Sequence, residues 1–209
     1  MTTLILFGAI NFGLFGLFSL FRYKKTHAFH LYFAIFLLAI GSIMIRVAYF
    51  RGWNDYSWIS MLPILSFAIA PSFYLYVLAL TSQKFSRAML HLIPVSLHVI
   101  YQLTLKTFMF SSSSLMPSHQ VQNIIGITLG VLLVAQLLFY VFKTRLVIQA
   151  NISHIKQHYS NLEGKQLKWV KVLFICMISL VGLWIGTQLI NWFFEVPIKS
   201  IPLVFIVLW

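Results

Sequence analysis

Acidic residues are almost missing from this sequence. There are three, Asp55, Glu163 and Glu195, among 209 positions. None sits inside an apolar run, so general acid–base chemistry has almost no material to work with. Proton-coupled transport through an intramembrane carboxylate lacks its carboxylate. The chain is therefore expected not to be an enzyme. Cysteine occurs once, at Cys176 within an apolar run, which excludes a disulfide framework and a cysteine metal site. Histidine does not replace it. His91 and His98 share a helical face seven residues apart with no cysteine or carboxylate nearby, and His154 and His158 have the spacing of a metal pair but no third ligand. No cofactor is expected. The N-terminus, Met1-Thr2-Thr3, lacks the basic region of a signal peptide, so the first apolar run reads as a retained helix.

What the chain has instead is apolar surface. Hydrophobic residues make up 60% of it and charged ones 9%, with a mean hydropathy of +0.91. That much apolar surface cannot be hidden in a water-soluble domain of this size, and the lipid bilayer is the expected partner. The fold class read from the sequence is an all-α, polytopic membrane helical bundle forming one transmembrane domain over 1–209. Its spans are placed at about 3–21, 31–50, 59–80, 88–105, 121–142 and 172–194, followed by a truncated seventh at 198–209. The last run holds twelve residues where a crossing needs about 20. The sequence thus reads as a fragment of a longer protein.

The net charge of +12 is a matter of topology rather than of nucleic acid. Eleven of the fifteen basic residues fall in the first, third and fifth loops, and the second, fourth and sixth hold only Arg51, Lys106 and Lys199. Basic loops stay in the cytoplasm, which places the N-terminus outside and the odd loops inside. The fifth loop, 143–171, is the main determinant, with Lys143, Arg145, Lys156, Lys165, Lys168 and Lys171 against one acid, Glu163. Within it Ile148, Ile152, Ile155 and Tyr159 recur at helical spacing, with Gln149, Ser153, Lys156 and Gln157 on other faces, so a short amphipathic helix is predicted. Ser160-Asn161-Leu162-Glu163 reads as a capping box that starts a new helix, running through Leu167 and Trp169 into the sixth span. Ser160, Glu163, Leu167 and Trp169 form the candidate signal-transmitting stem.

Candidate ligand residues gather toward the outer side. Arg46 is the only basic residue well inside an apolar run, roughly 7 Å from Arg51 along the helix. Snorkelling to the interface accounts for it, and binding of an anionic signal is the functional alternative. Trp53 and Trp58 belong to an interfacial aromatic belt or to an outward-opening cavity. Asn11, Gln102, Gln136, Gln188 and Asn191 line such a cavity or hydrogen-bond between helices. The ligand itself, a small molecule, is not specified by any of them. Pro71, mid-span, deprives the Phe67 carbonyl of its usual amide and predicts a bend, either a packing kink or a hinge. Gly126 and Gly130, and Gly182 and Gly186, form GxxxG pairs, a pattern used for close helix contact within a chain and for homodimers between chains.

Three pieces in order carry a resemblance: Ala70-Pro71-Ser72-Phe73-Tyr74-Leu75-Tyr76, then His91-Leu92-Ile93-Pro94, then Tyr159-Ser160 with Glu163, Leu167 and Trp169. Together they resemble the membrane part of bacterial transcriptional regulators with about seven N-terminal helices and a C-terminal AraC-type helix-turn-helix domain. The family pattern more often has glycine where Ala70 stands, and the DNA-binding domain is missing from the chain. The resemblance implies a signal-sensing domain in the bacterial inner membrane that reaches DNA only through that missing domain, with no direct nucleic-acid contact of its own. The alternatives are a small-solute transporter or its subunit, and the input domain of a membrane histidine kinase. Pro71 has no counterpart proline in the sixth span, which counts against the repeated broken helices of transporters.

Overall fold

Seven apolar runs with few breakers predict helices, and helices are what form among the described residues. The structure, a computed structural model, describes residues 2–23, 28–52, 65–81, 88–111, 119–158 and 169–176, together with 178, 179, 182 and 186. Five α-helices run in order: α1 (Thr2–Phe21), α2 (Phe29–Gly52), α3 (Ser66–Leu80), α4 (Ile93–Ser111, entered through a 3-10 turn at Ala88–Leu92) and α5 (His119–His158). No strand occurs among the described residues. Two compact units divide the chain, Met1–Thr144 and Arg145–Trp209.

In the first unit α1 and α2 form an antiparallel pair whose contact face is made of small residues. A Cβ added at Gly16 would lie 3.0 Å from Leu38 Cγ and 3.4 Å from the Ala34 carbonyl oxygen. One added at Gly41 would lie 3.5 Å from the Ala9 carbonyl oxygen and 3.7 Å from the Gly13 nitrogen. Ile5, Ala9 and Ser19 are buried on the same stripe of α1, while Leu4, Phe7, Leu14, Phe15, Phe18 and Phe21 point outward. Small side chains inside and large apolar ones outside are the arrangement of a helix whose solvent is lipid. The sequence places three glycines, Gly8, Gly13 and Gly16, in the first span, where glycine is expected to offer close-packing surfaces; Gly8 and Gly16 do so against α2, while a Cβ at Gly13 would meet nothing within 4 Å. At Gly13 it is the backbone, rather than the Cβ position, that makes the approach.

Helix α3 is the core. Phe67, Ala68, Ala70, Pro71, Ser72, Phe73, Leu75, Tyr76, Val77 and Leu78 are all buried in its fifteen residues. It lies against α2 through Phe33–Tyr76 and Phe36–Phe73 ring contacts, with centroids 4.9 and 5.4 Å apart. Its first turn is tied to the same helix. The Leu65 amide donates to Ser42 Oγ at 3.2 Å, and Ser42 in turn donates to the Ala39 carbonyl. Leu65 precedes the helix without a side-chain cap of its own, and Ser42 satisfies its backbone N–H. Pro94 falls in the first turn of α4, where its missing N–H costs nothing.

Three helices are long and apolar enough to cross a membrane, at Thr3–Phe21, Phe29–Arg46 and Ile127–Ile155, and Ser66–Leu80 and Leu90–Thr104 are shorter apolar helices. Among the described residues the bundle is thus all-α, with helices whose length and apolar character suit a membrane. The six complete spans of the sequence reading are not all present among the described residues: 59–64, the greater part of the sixth span and the whole of the seventh lie outside them. One expected boundary is corrected. The span expected to end at residue 142 and the short amphipathic helix expected near Ile148 are a single helix, α5, of 40 residues. Lys143 and Arg145 mark a change of solvent, but neither they nor any residue from Val131 to His158 is glycine or proline, so nothing stops the helix.

In the second unit, the part of α5 from Arg145 has the amphipathic character read from the sequence. Val147 and Ile155 are buried and Ile148 and Ile152 half-buried, while Gln149, Ser153 and Gln157 are exposed. Residues 169–176 are helical, with Val170 buried and Trp169 exposed.

Candidate functional site

The polar groups of the first unit converge on a seam between α3, α4 and α5. Each helix contributes residues at helical spacing, so each presents one stripe: Phe67 and Tyr74 on α3, His91 and His98 across the 3-10 turn and α4, and Gln136 and Tyr140 on α5. They meet in two layers.

In the first layer the side-chain amide of Gln136 donates to the Phe67 carbonyl oxygen at 3.1 Å. This is the carbonyl four residues before Pro71, whose ring nitrogen carries no hydrogen to return to it. The His98 ring lies against the Phe67 ring, centroids 4.5 Å apart. Gln136 Oε1 and His98 Nδ1 are buried and without hydrogen-bond partners among the described residues. Ser72, one residue after the proline, donates to the carbonyls of Ala68 and Ile69. Bonding back to the preceding turn in this way accompanies helix bending.

In the second layer the Tyr140 hydroxyl and His91 Nδ1 are 2.8 Å apart, a hydrogen bond that either partner can donate. Tyr74 closes the layer, with ring centroids 5.3 Å from His91 and 5.6 Å from Tyr140. Edge and tilted aromatic contacts of this kind add to the burial of the rings. Next along α5, the Lys143 ammonium lies over the Phe139 ring at 5.6 Å, a cation–π contact where the helix turns polar. One turn on from Tyr140, Thr144 is fully buried with its hydroxyl unpartnered among the described residues.

The residues singled out from the sequence fall elsewhere. Pro71 is buried at the centre of α3 and belongs to the seam. Arg46 is half-buried in α2 and Gln102 half-buried in α4. Trp53, Trp58, Gln188 and Asn191 lie outside the described residues, as do Ser160, Glu163 and Leu167 of the expected stem, of which Trp169 alone is described. Gly126 and Gly130 lie in α5, and a Cβ at Gly130, Gly182 or Gly186 would meet nothing within 4 Å. Among the described residues no three of His, Cys, Asp or Glu come together as a metal site.

His91, His98 and Tyr140 were not among the expected site residues, and Gln136 was noted only as a possible cavity or interhelical group. A signal for them was present: the polar side chains Gln136, Tyr140 and Thr144 recur every four residues in an apolar run. Such a stripe has to face protein rather than lipid. The arrangement offers neither nucleophile nor acid, and what it does is tie three helices in a defined register. Among the described residues these elements make an all-α helical bundle, three of whose helices are long and apolar enough to cross a membrane. No family model, curated protein or solved structure matches the chain.

Proposed function

We infer that this chain is the membrane-embedded sensing domain of a bacterial one-component transcriptional regulator. It takes six complete spans and a seventh apolar run from Ile198, with the N-terminus outside and the bundle in the inner membrane. Its output passes through the cytoplasmic segment to an AraC-type helix-turn-helix unit. The chain itself makes no contact with DNA.

The observation that carries the reading is the length of α5. Forty helical residues reach about 60 Å, twice the roughly 30 Å hydrocarbon core. A single helix therefore carries the polar groups of the seam and runs on past Lys143 and Arg145 without a break. A shift imposed on Gln136 or Tyr140 is carried along the same helix to His158, with no loop between to absorb it. The ordered motifs around Pro71, His91 and Tyr159 support the choice of a transcriptional output, and that choice rests on resemblance alone.

The test joins the chain at its C-terminus to an AraC-type DNA-binding unit and reads a promoter in living cells. Conditions or metabolites that change promoter output while leaving membrane insertion unchanged are the expected result. Constant output across a broad panel of conditions, together with solute uptake by vesicles holding the purified chain, would replace the reading with transport.

A further inference from the structure

The outward face of α1 ends on a cation. Leu4, Phe7, Leu14, Phe15 and Phe18 are exposed along it, and Arg22, one turn after Phe18, is exposed too. The Arg22 guanidinium carbon lies 4.9 Å from the centre of the Phe18 ring, a cation–π contact that holds the long side chain back along the helix. No hydrogen bond or ion pair takes the guanidinium among the described residues. Phe21, 88% exposed, and Tyr23, 42% exposed, flank it. The 20 residues of α1 rise about 30 Å, the thickness of a hydrocarbon core, so Arg22 stands where lipid phosphates begin.

We propose that this end of α1 binds an anionic phospholipid of the bilayer, with its phosphate on Arg22 and an acyl chain along Phe18 and Phe15. The inference rests on the chain's place in a membrane, and on neither its orientation nor its output. The face is apolar up to its last turn and cationic beyond, which is the polarity of a lipid read from tail to headgroup. An arginine fork matches two oxygens of a phosphate, and the Phe18 ring holds this one in place before the lipid arrives. No acid precedes Asp55, so neither α1 nor α2 offers a carboxylate to the ammonium of a zwitterionic headgroup. Arg22, and Lys24 and Lys25 after it in the sequence, repel that ammonium. Charge therefore selects a headgroup that is negative as a whole.

One effect opposes the site. A helix C-terminus carries about half a negative charge, which disfavours an anion beside it. The full positive charge of Arg22 outweighs this, and the two lysines that follow add to it. A free phosphate would meet the same fork but leave Phe15 and Phe18 uncovered, whereas a lipid covers both. The pairing of a cation with an exposed phenylalanine one turn earlier recurs where Lys143 lies over Phe139. A lysine there is a point charge without a fork, so headgroup recognition is assigned to Arg22.

The experiment reconstitutes the full chain in phosphatidylcholine vesicles carrying a small fraction of a lipid with a photoreactive acyl chain. It measures the yield of adducts on the peptide that holds Leu14 to Tyr23. With reactive phosphatidylglycerol the yield should be about fivefold that with reactive phosphatidylcholine, the scale of one basic side chain at a lipid surface. Arg22→Gln should lower it to the phosphatidylcholine level. Lys143→Gln, which removes an equal charge from another helix, should leave it unchanged. If Arg22→Gln does not insert, raising the salt from about 0.05 to about 0.5 M should shrink the excess in the wild type. Inorganic phosphate at constant ionic strength should not. Equal yields from the two lipids overturn the site, as does an excess that survives Arg22→Gln or high salt. Displacement by phosphate overturns it in favour of a soluble anion. An equal fall with Lys143→Gln overturns it too, because that fall reports the charge of the whole surface and not a place on it. None of these yields depends on a promoter. Failure of the lipid site therefore leaves the sensor reading standing, and failure of that reading leaves the site.

Discussion

Gln136 donates its side-chain amide to the carbonyl of Phe67, the carbonyl that Pro71 leaves without a backbone donor. A proline inside a membrane helix frees a carbonyl where no water can reach it, and a neighbouring helix commonly supplies the replacement. Here the replacement comes from α5. One hydrogen bond thus joins the carbonyl freed by the proline of the most buried helix to the longest helix.

That coupling gives a double-mutant cycle. Gln136→Leu should destabilise the chain by about 1–2 kcal/mol, near the upper end for hydrogen bonds between membrane helices. In a Pro71→Ala background the backbone amide of residue 71 returns to the Phe67 carbonyl, so the same change at 136 should cost close to nothing. Unfolding equilibria in mixed detergent micelles, for the wild type, both single variants and the double, measure the difference. Additive effects would show that the proline and the glutamine act independently.

This relationship was half legible in the sequence. Pro71 names the carbonyl it orphans by arithmetic alone. Which side chain then answers depends on how helices pack, and an apolar sequence fixes the face of a helix far better than its register against another. The same limit explains the histidines. Their shared face is visible seven residues apart, but nothing in the spacing says that one meets Tyr140 and the other Phe67. The continuation of the helix past residue 142 was missed for a different reason. Lys143 and Arg145 report where water begins, and a helix stops at glycine, proline or a cap.

The second layer predicts a separation of ring packing from hydrogen bonding. Tyr140→Phe keeps the contacts with Tyr74 and His91 and loses the 2.8 Å bond. Its cost should be about 0.6–1.7 kcal/mol. Tyr140→Leu also removes the ring and should cost more. Equal losses in the same unfolding assay would mean that the hydroxyl contributes nothing.

Glycine positions on α1 should differ sharply. Gly16→Val meets the branch of Leu38 and the backbone of Ala34, neither of which can move far, and should cost about 1–3 kcal/mol. Gly8→Ala meets only the end of the Met44 side chain, which can rotate away. Gly13→Ala meets open space and should lie within about 0.5 kcal/mol of wild type. Comparable losses at all three positions would contradict the α1–α2 packing described above.

Orientation follows from the distribution of charge. Reporter fusions after Trp53 and Ser113 should be active on the outer side, and fusions after Lys25, Arg87 and Gln157 should not, given eleven basic residues in the odd loops against three in the even ones. A reporter after Gln157 that is active outside would reverse the bundle and take the end of α5 out of the cytoplasm.

The most direct test of transmission through α5 breaks the helix beyond the seam. Ala150 is exposed and touches none of the residues of the two layers, so Ala150→Pro interrupts the helix and leaves the bundle's own bonds in place. In the promoter assay, with Ala150→Ser as the control, the chain should insert normally, keep its seam and lose its response. A proline variant that responds as strongly as the serine control would contradict the account.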